Sequence, residues 1–182
     1  MALNNRVLKL HPATLVLASF LLAILTGTFL LKLPMATKTG HIPWSDALFT
    51  ATSAVCVTGL VVVDTGSYFT TLGQWMILIM IQIGGLGVMT VSVMLFQWLG
   101  HSISIRHRMV MQDLFTHTPR GDIFSLVKSI IFLTLITEGI GVLLLTAHWH
   151  REMPFWGALY HAVFHSVSAF CNAGFALFPD SM

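Results

Sequence analysis

The stretch Ala47-Leu-Phe-Thr-Ala-Thr-Ser-Ala-Val-Cys-Val-Thr-Gly59 returns 115 residues later as Ala162-Val-Phe-His-Ser-Val-Ser-Ala-Phe-Cys-Asn-Ala-Gly174. With Cys56 set on Cys171, Ala47/Ala162, Phe49/Phe164, Ser53/Ser168, Ala54/Ala169 and Gly59/Gly174 coincide. Each copy follows a long apolar segment at a similar offset, so the repeated unit is a whole hairpin. A helix, a small-residue turn and a glycine, duplicated inside a very apolar chain, suggest a loop that lines a path for ions.

The composition places that loop in a membrane. Of 182 residues, 55% are hydrophobic and 9% charged, and the mean hydropathy is +0.82. A soluble domain carries about 25% charged residues. The run from Thr65 to Ile105 holds no Asp, Glu, Lys or Arg. About 20 apolar helical residues cross the hydrocarbon layer, and three segments reach that length: about Pro12 to Leu33, Leu72 to Leu99, and Ile123 to Ala147. The first is too long for the apolar core of a cleaved signal peptide, and no small-residue cleavage site precedes a soluble chain.

Lys and Arg set the expected orientation. Arg6, Lys9, Arg106, Arg108, Arg120 and Lys128 fall on one side of these spans, and Lys32, Lys38 and Arg151 on the other. Six against three puts the N-terminus and the loop from His101 to Asp122 in the cytoplasm. Both repeated elements then lie on the external side. Aromatic residues near span ends, among them Trp44, Trp75, Trp98, Trp149 and Trp156, fit interfacial belts. A dispersed net charge of +2 excludes nucleic-acid binding as the main role.

The stretch from Pro43 to Ala54 is too short to span a membrane but long enough for about three helical turns. Ser45 or Asp46 is placed to cap its N-terminus. Entering from outside and ending near mid-membrane, such a half-helix points its partially negative carbonyl end inward, which favours a cation. Cys56-Val-Thr-Gly59 is expected to be extended, with free carbonyls. Unpaired carbonyls at that depth are tolerated only where protein buries them or where they line an ion path. Gly59 and Gly174 allow the positive φ that tips a carbonyl toward an axis, and carbonyl rings replace the hydration shell of K⁺ in known filters.

Ser53-Ala-Val-Cys-Val-Thr-Gly-Leu60, with Val63-Asp-Thr-Gly66 and Gln82-Ile-Gly-Gly-Leu-Gly87, resembles the first repeat of the Trk/Ktr/HKT potassium transporters. The similarity is greatest to the membrane subunit of bacterial Ktr systems. Ser168-Ala-Phe-Cys-Asn-Ala-Gly-Phe175 resembles the second filter segment of that family. The resemblance implies an all-α integral membrane fold of helix–pore-loop–helix repeats, K⁺-channel-like and here incomplete. It implies K⁺ transport through a carbonyl-lined filter built by Cys56, Val57, Thr58 and Gly59 with Cys171, Asn172, Ala173 and Gly174. Relatives that select Na⁺ replace the first filter glycine by serine, so Gly59 favours K⁺ as the transported ion; Na⁺ as a coupling ion stays open, and no organic cofactor is implied. Also implied are a plasma-membrane location, homodimerisation of the full-length subunit and a cytoplasmic nucleotide-binding regulatory subunit.

The expected organisation is a first repeat over residues 1–99, a cytoplasmic loop over 100–122, and a second repeat over 123–182 that stops after its filter. The family has four repeats, so the remaining repeats are expected partners along with the bilayer. A sealed pore is not expected from this chain alone, and a non-conducting assembly or interfering partner of a full-length subunit is the competing reading.

Glu138 lies inside the third span, where an ionised group is costly. It is either an ion-path or packing carboxylate that faces the bundle interior, or a protonated or hydrogen-bonded structural residue. Asp64 either gathers cations at the outer mouth or caps a helix starting near Ser67. The glycines of Gln82–Gly87 sit mid-span with no strand before them, which argues for close helix packing and against nucleotide binding. His161 and His165 are one helical turn apart on the expected second half-helix, in the places of Asp46 and Thr50. They lack the further ligands that a metalloenzyme requires, so no enzymatic activity is expected. Cys56 and Cys171 are expected to be reduced structural residues.

Overall fold

The computed structural model describes residues 12–87 and 123–178. Those residues are helical, with one isolated antiparallel bridge between Thr37 and Phe69. In chain order the elements are α1 (Pro12–Leu31), a short 3₁₀ turn (Pro34–Ala36), α2 (Trp44–Val55), α3 (Thr65–Tyr68), α4 (Thr71–Gly85), α5 (Ile123–Trp149) and α6 (Phe155–Phe170). The two copies of the repeated sequence are therefore the short helices α2 and α6, each with the loop that follows it.

α1 runs through leucine, alanine and other good helix formers. It is 20 residues long, and α5 is 27. Both coincide with expected spans. α4 covers the start of the second expected span, whose remainder lies outside the described residues, as do the basic loop from His101 to Asp122 and Arg6 and Lys9. Among the described residues one stretch, Val127–Trp149, is long and apolar enough by length and composition to cross a membrane, while Leu17–Leu31 and Thr71–Gly85 are shorter apolar helices.

α2 begins at Trp44, with Pro43 at its cap position and no side-chain capping bond. This corrects the expectation for Ser45 and Asp46. Both lie inside the first turn, where Ser45 donates to the Asp46 carboxylate at 2.9 Å. The acidic Asp46 still favours that end through the helix dipole. α6 likewise begins after a proline, Pro154.

The loop between α1 and α2 is tied down by its own cations and threonines. Lys32 Nζ donates to the Ile42 carbonyl at 2.5 Å and lies 5.0 Å from the Trp44 ring centre. Lys38 Nζ reaches the Gly66 carbonyl at 3.1 Å. Thr70 caps α4 by accepting from Gly73 N–H and donates its own hydroxyl to Met35 O. The bridge and these contacts hold the segments on either side of α2 together.

One apolar cluster runs through both copies and includes Phe69, Ile77, Ile81, Phe164, Ala173 and Phe175. α2 and α6 bury small residues at matching places, Ala47/Ala162, Ala51/Ser166 and Ser53/Ser168. Small side chains let helix backbones approach closely, the usual basis of packing where the surroundings are as apolar as the interface. α5 turns Thr134, Glu138 and Thr146 inward at helical spacing. The opposite faces carry exposed apolar side chains, Leu17, Leu21 and Leu25 on α1 and Leu133, Ile140 and Leu144 on α5.

Candidate functional site

The two repeated segments end their helices in the same way. Cys56 and Cys171 close α2 and α6 with helical dihedrals (φ −85°, ψ 0° and φ −73°, ψ −5°). The next residues, Val57 and Asn172, both have φ 56°. Val57 N–H then bonds Ala54 O at 3.3 Å and Thr58 N–H bonds Ser53 O at 3.0 Å. In the second copy Asn172 N–H bonds Ala169 O at 3.0 Å and Ala173 N–H bonds Ser168 O at 2.7 Å. This pair of crossed bonds around a left-handed residue is the Schellman helix end, in which that residue is usually glycine or asparagine. Asn172 conforms. Val57 is a β-branched side chain in a region it rarely enters.

That geometry modifies the expectation of an extended segment from Cys56 onward. The first two residues make a tight reversal, and the chain leaves the helix only at Thr58 and Ala173. The reversal satisfies the carbonyls of residues 53, 54, 168 and 169. Those of Cys56, Val57 and Thr58, and of Cys171, Asn172 and Ala173, accept no backbone hydrogen bond among the described residues.

Gly59 and Gly174 follow at φ +75° and +70°. They face one another. A Cβ on Gly59 would lie 2.8 Å from Ala173 O and 3.1 Å from Gly174 Cα, and one on Gly174 would lie 3.0 Å from Gly59 Cα. Both space and dihedral therefore require glycine here. Cys56, Thr58, Asn172 and Gly174 are exposed while Ala173 is buried, and both thiols are free.

Side chains of neighbouring elements hold the two loops. Thr58 donates to Ser53 Oγ at 3.0 Å, and in the second copy Ser168 Oγ donates to Phe175 O at 2.6 Å. Gln74 of α4, buried to 6% exposure, donates to the carbonyls of Thr65, Gly66 and Phe69 at 3.1–3.2 Å. Its own oxygen accepts from Tyr160 of α6 at 2.5 Å. His165 Nδ1 lies 2.8 Å from His161 O and its Nε2 accepts from Leu177 N–H at 3.3 Å. The two nitrogens thus define a neutral ring with the proton on Nδ1. His161 and His165 stack with each other and with Phe178, and Trp149 meets all three rings edge-on.

Asp64 accepts from Ser67 N–H at 2.6 Å and caps α3. Glu138 lies at 6% exposure and takes both amide contacts of Gln82 Nε2, at 2.9 and 3.2 Å. Gly84 and Gly85 lie where α4 meets the two loops. A Cβ at Gly84 would collide with Val55 O, and one at Gly85 with Cys171 Sγ. Close packing is therefore the role of this glycine pair.

Sequence reasoning singled out the backbone segments and missed the side chains that brace them. Gln74 and Gln82 were legible as the amides of an otherwise apolar run, and Ser53 and Ser168 as coincident polar positions of the repeat. Nothing in the sequence marked Tyr160 as the partner of Gln74.

Two helices thus end alike on glycine-bearing loops and pack together in one helical, largely apolar bundle. The chain belongs to the TrkH family of cation transport proteins, whose profile matches residues 8–182. It is 44% identical over 168 residues to the Ktr system potassium uptake protein B of Vibrio alginolyticus, covering 92% of this chain and 37% of that protein. Its counterpart from Bacillus subtilis is 41% identical over 174 residues, covering 96% and 39%. The potassium/sodium uptake protein NtpJ of Enterococcus hirae is 36% identical over 175 residues, again covering 96% and 39%. The chain thus spans under two fifths of the length of these relatives.

Proposed function

We propose that this chain supplies two of the pore loops of a Ktr-like potassium uptake protein in the cell membrane, with residues 1–99 and 123–182 as its first and second repeats. α2 and α6 act as half-helices, and the carbonyls of Cys56–Gly59 and Cys171–Gly174 line the filter. The observation that carries the reading is the shared geometry of these segments, from the crossed helix-end bonds to the facing glycines. Carbonyl oxygens left without backbone donors suit a dehydrated cation. The ion moves down the membrane potential and no bond is made or broken. Asp64, beside the exit of the first loop, adds negative charge at the outer mouth while it caps α3. Na⁺ as a coupling ion is compatible with the resemblance to the potassium/sodium uptake protein of Enterococcus hirae.

The 37–39% coverage of the relatives favours a second reading, in which residues 1–182 alone do not conduct and serve only in assembly with further repeats. One experiment separates the two. Cells lacking their own K⁺ importers receive either this chain or a chimera in which residues 8–182 replace the matching stretch of the Vibrio protein. Growth at limiting K⁺ that is lost on Gly59→Ser is expected of the chimera. Rescue by the chain alone refutes the non-conducting reading. A chimera that inserts in the membrane yet takes up no K⁺ refutes the potassium path.

A further inference from the structure

Glu138 is the point where three helices are tied together. Its carboxylate receives both contacts of the Gln82 amide from α4, and its backbone carbonyl accepts the Ser166 hydroxyl of α6 at 2.7 Å. Gly141, three residues along α5, leaves no room for a side chain against Ser166 Oγ. Gln82 continues the chain of contacts on its other side. Its oxygen accepts the Cys171 thiol at 3.9 Å, and Gly85, almost one turn further along α4, lies flat against the same sulfur. Glu138, Gln82 and Cys171 thus form a line that runs from the middle of α5 to the first residue of the second loop.

An amide with one end on a carboxylate cannot turn over, because its oxygen would then face the carboxylate oxygens. The carboxylate therefore fixes which end of Gln82 meets the thiol. Charge-assisted bonds of this kind are stronger than neutral ones, more so away from water. No equivalent side-chain hydrogen bond reaches Cys56 among the described residues, where Gly84 of α4 lies against Val55 O at the end of α2.

We propose that Gln82 and Glu138 are positioning residues for the second filter segment, holding Cys171 and the carbonyls after it at the spacing a potassium ion requires. The functional half of this statement rests on the potassium path proposed above; the pairing itself does not. Two readouts keep them apart. The infrared S–H stretch of the purified full chain reports the thiols directly, since the chain has two cysteines and Cys171→Ala assigns the bands. In Gln82→Leu the Cys171 band should move to the position of a free thiol while the Cys56 band stays. The exchanged pair, Gln82→Glu with Glu138→Gln, should bring it back, because a carboxylate at 82 still accepts from the thiol and an amide at 138 still donates.

Uptake supplies the second readout, in whichever background of the preceding experiment takes up K⁺. Gln82→Leu should raise KM for K⁺ roughly tenfold, the worth of one charge-assisted hydrogen bond, at unchanged amounts in the membrane. The exchanged pair should recover to within about threefold of the parent, the non-additivity expected of direct partners. An unmoved Cys171 band in Gln82→Leu overturns the pairing. An altered band with unaltered KM, or an exchanged pair no better than Gln82→Leu, overturns the positioning role. If neither background takes up K⁺, the potassium path fails and the infrared bands still decide the pairing.

Discussion

Position 57 carries the sharpest local demand. Valine at φ 56° holds a conformation that costs a non-glycine residue roughly 1–2 kcal/mol, whereas the matched Asn172 can enter it readily. Val57→Asn should therefore stabilise the chain by about 1 kcal/mol, seen as a higher melting temperature in detergent. A lower one would mean that Val57 packing outweighs its backbone. Gly59 faces the opposite constraint. Gly59→Ala adds a Cβ 2.8 Å from Ala173 O at φ +75°, so it should both destabilise the chain and abolish K⁺ uptake where the parent has it. Full uptake in that variant would remove the facing glycines from the ion path.

At the scale of elements, the loops are held by a few buried polar side chains rather than by a sheet or a continuous helix. Gln74 serves three carbonyls of the segment around α3 and accepts from Tyr160 on α6, joining the surroundings of the first loop to the second half-helix. Gln74→Leu removes the side-chain donor of the Thr65 and Phe69 carbonyls, leaves Gly66 O to Lys38 alone and should cost about 2–4 kcal/mol, whereas Tyr160→Phe removes a single bond and should cost about 1 kcal/mol. The two effects should be non-additive in a double-mutant cycle of thermal stability. Simple additivity would mean that the 2.5 Å contact contributes nothing. Ser168→Ala, which removes the buried bond to Phe175 O, should cost about 1–3 kcal/mol and loosen the second segment alone.

At the scale of the molecule, the outward faces of α1 and α5 are as apolar as the buried cluster, while Thr134, Glu138 and Thr146 of α5 turn inward. A water-soluble bundle does not present such faces to its surroundings. Their exposure predicts that the expressed chain stays in the membrane pellet after alkaline carbonate and needs detergent for release. Release by carbonate alone would show that these faces do not meet lipid. Glu138 sits among the inward residues of α5, where its hydrogen bonds to Gln82 offset the cost of burial.

Much of this was readable from residues alone. The apolar runs at α1 and α5, the break at Pro43, and the coincidence of Ala, Ser, Cys and Gly in the two copies determined helices, their order and the pair of matching loops. Such features are local: propensity, period and turn chemistry act within a few residues. Tertiary structure alone decided that Pro43 rather than Ser45 or Asp46 takes the cap position of α2 and that Asp64 is occupied with Ser67. It also put Val57 in a left-handed turn and set Gly59 against Gly174, Gln74 against Tyr160 and Gln82 between Glu138 and Cys171. Those pairings join residues up to 115 positions apart. They depend on how closely backbones approach, a property of packed helices that no run of neighbouring residues encodes.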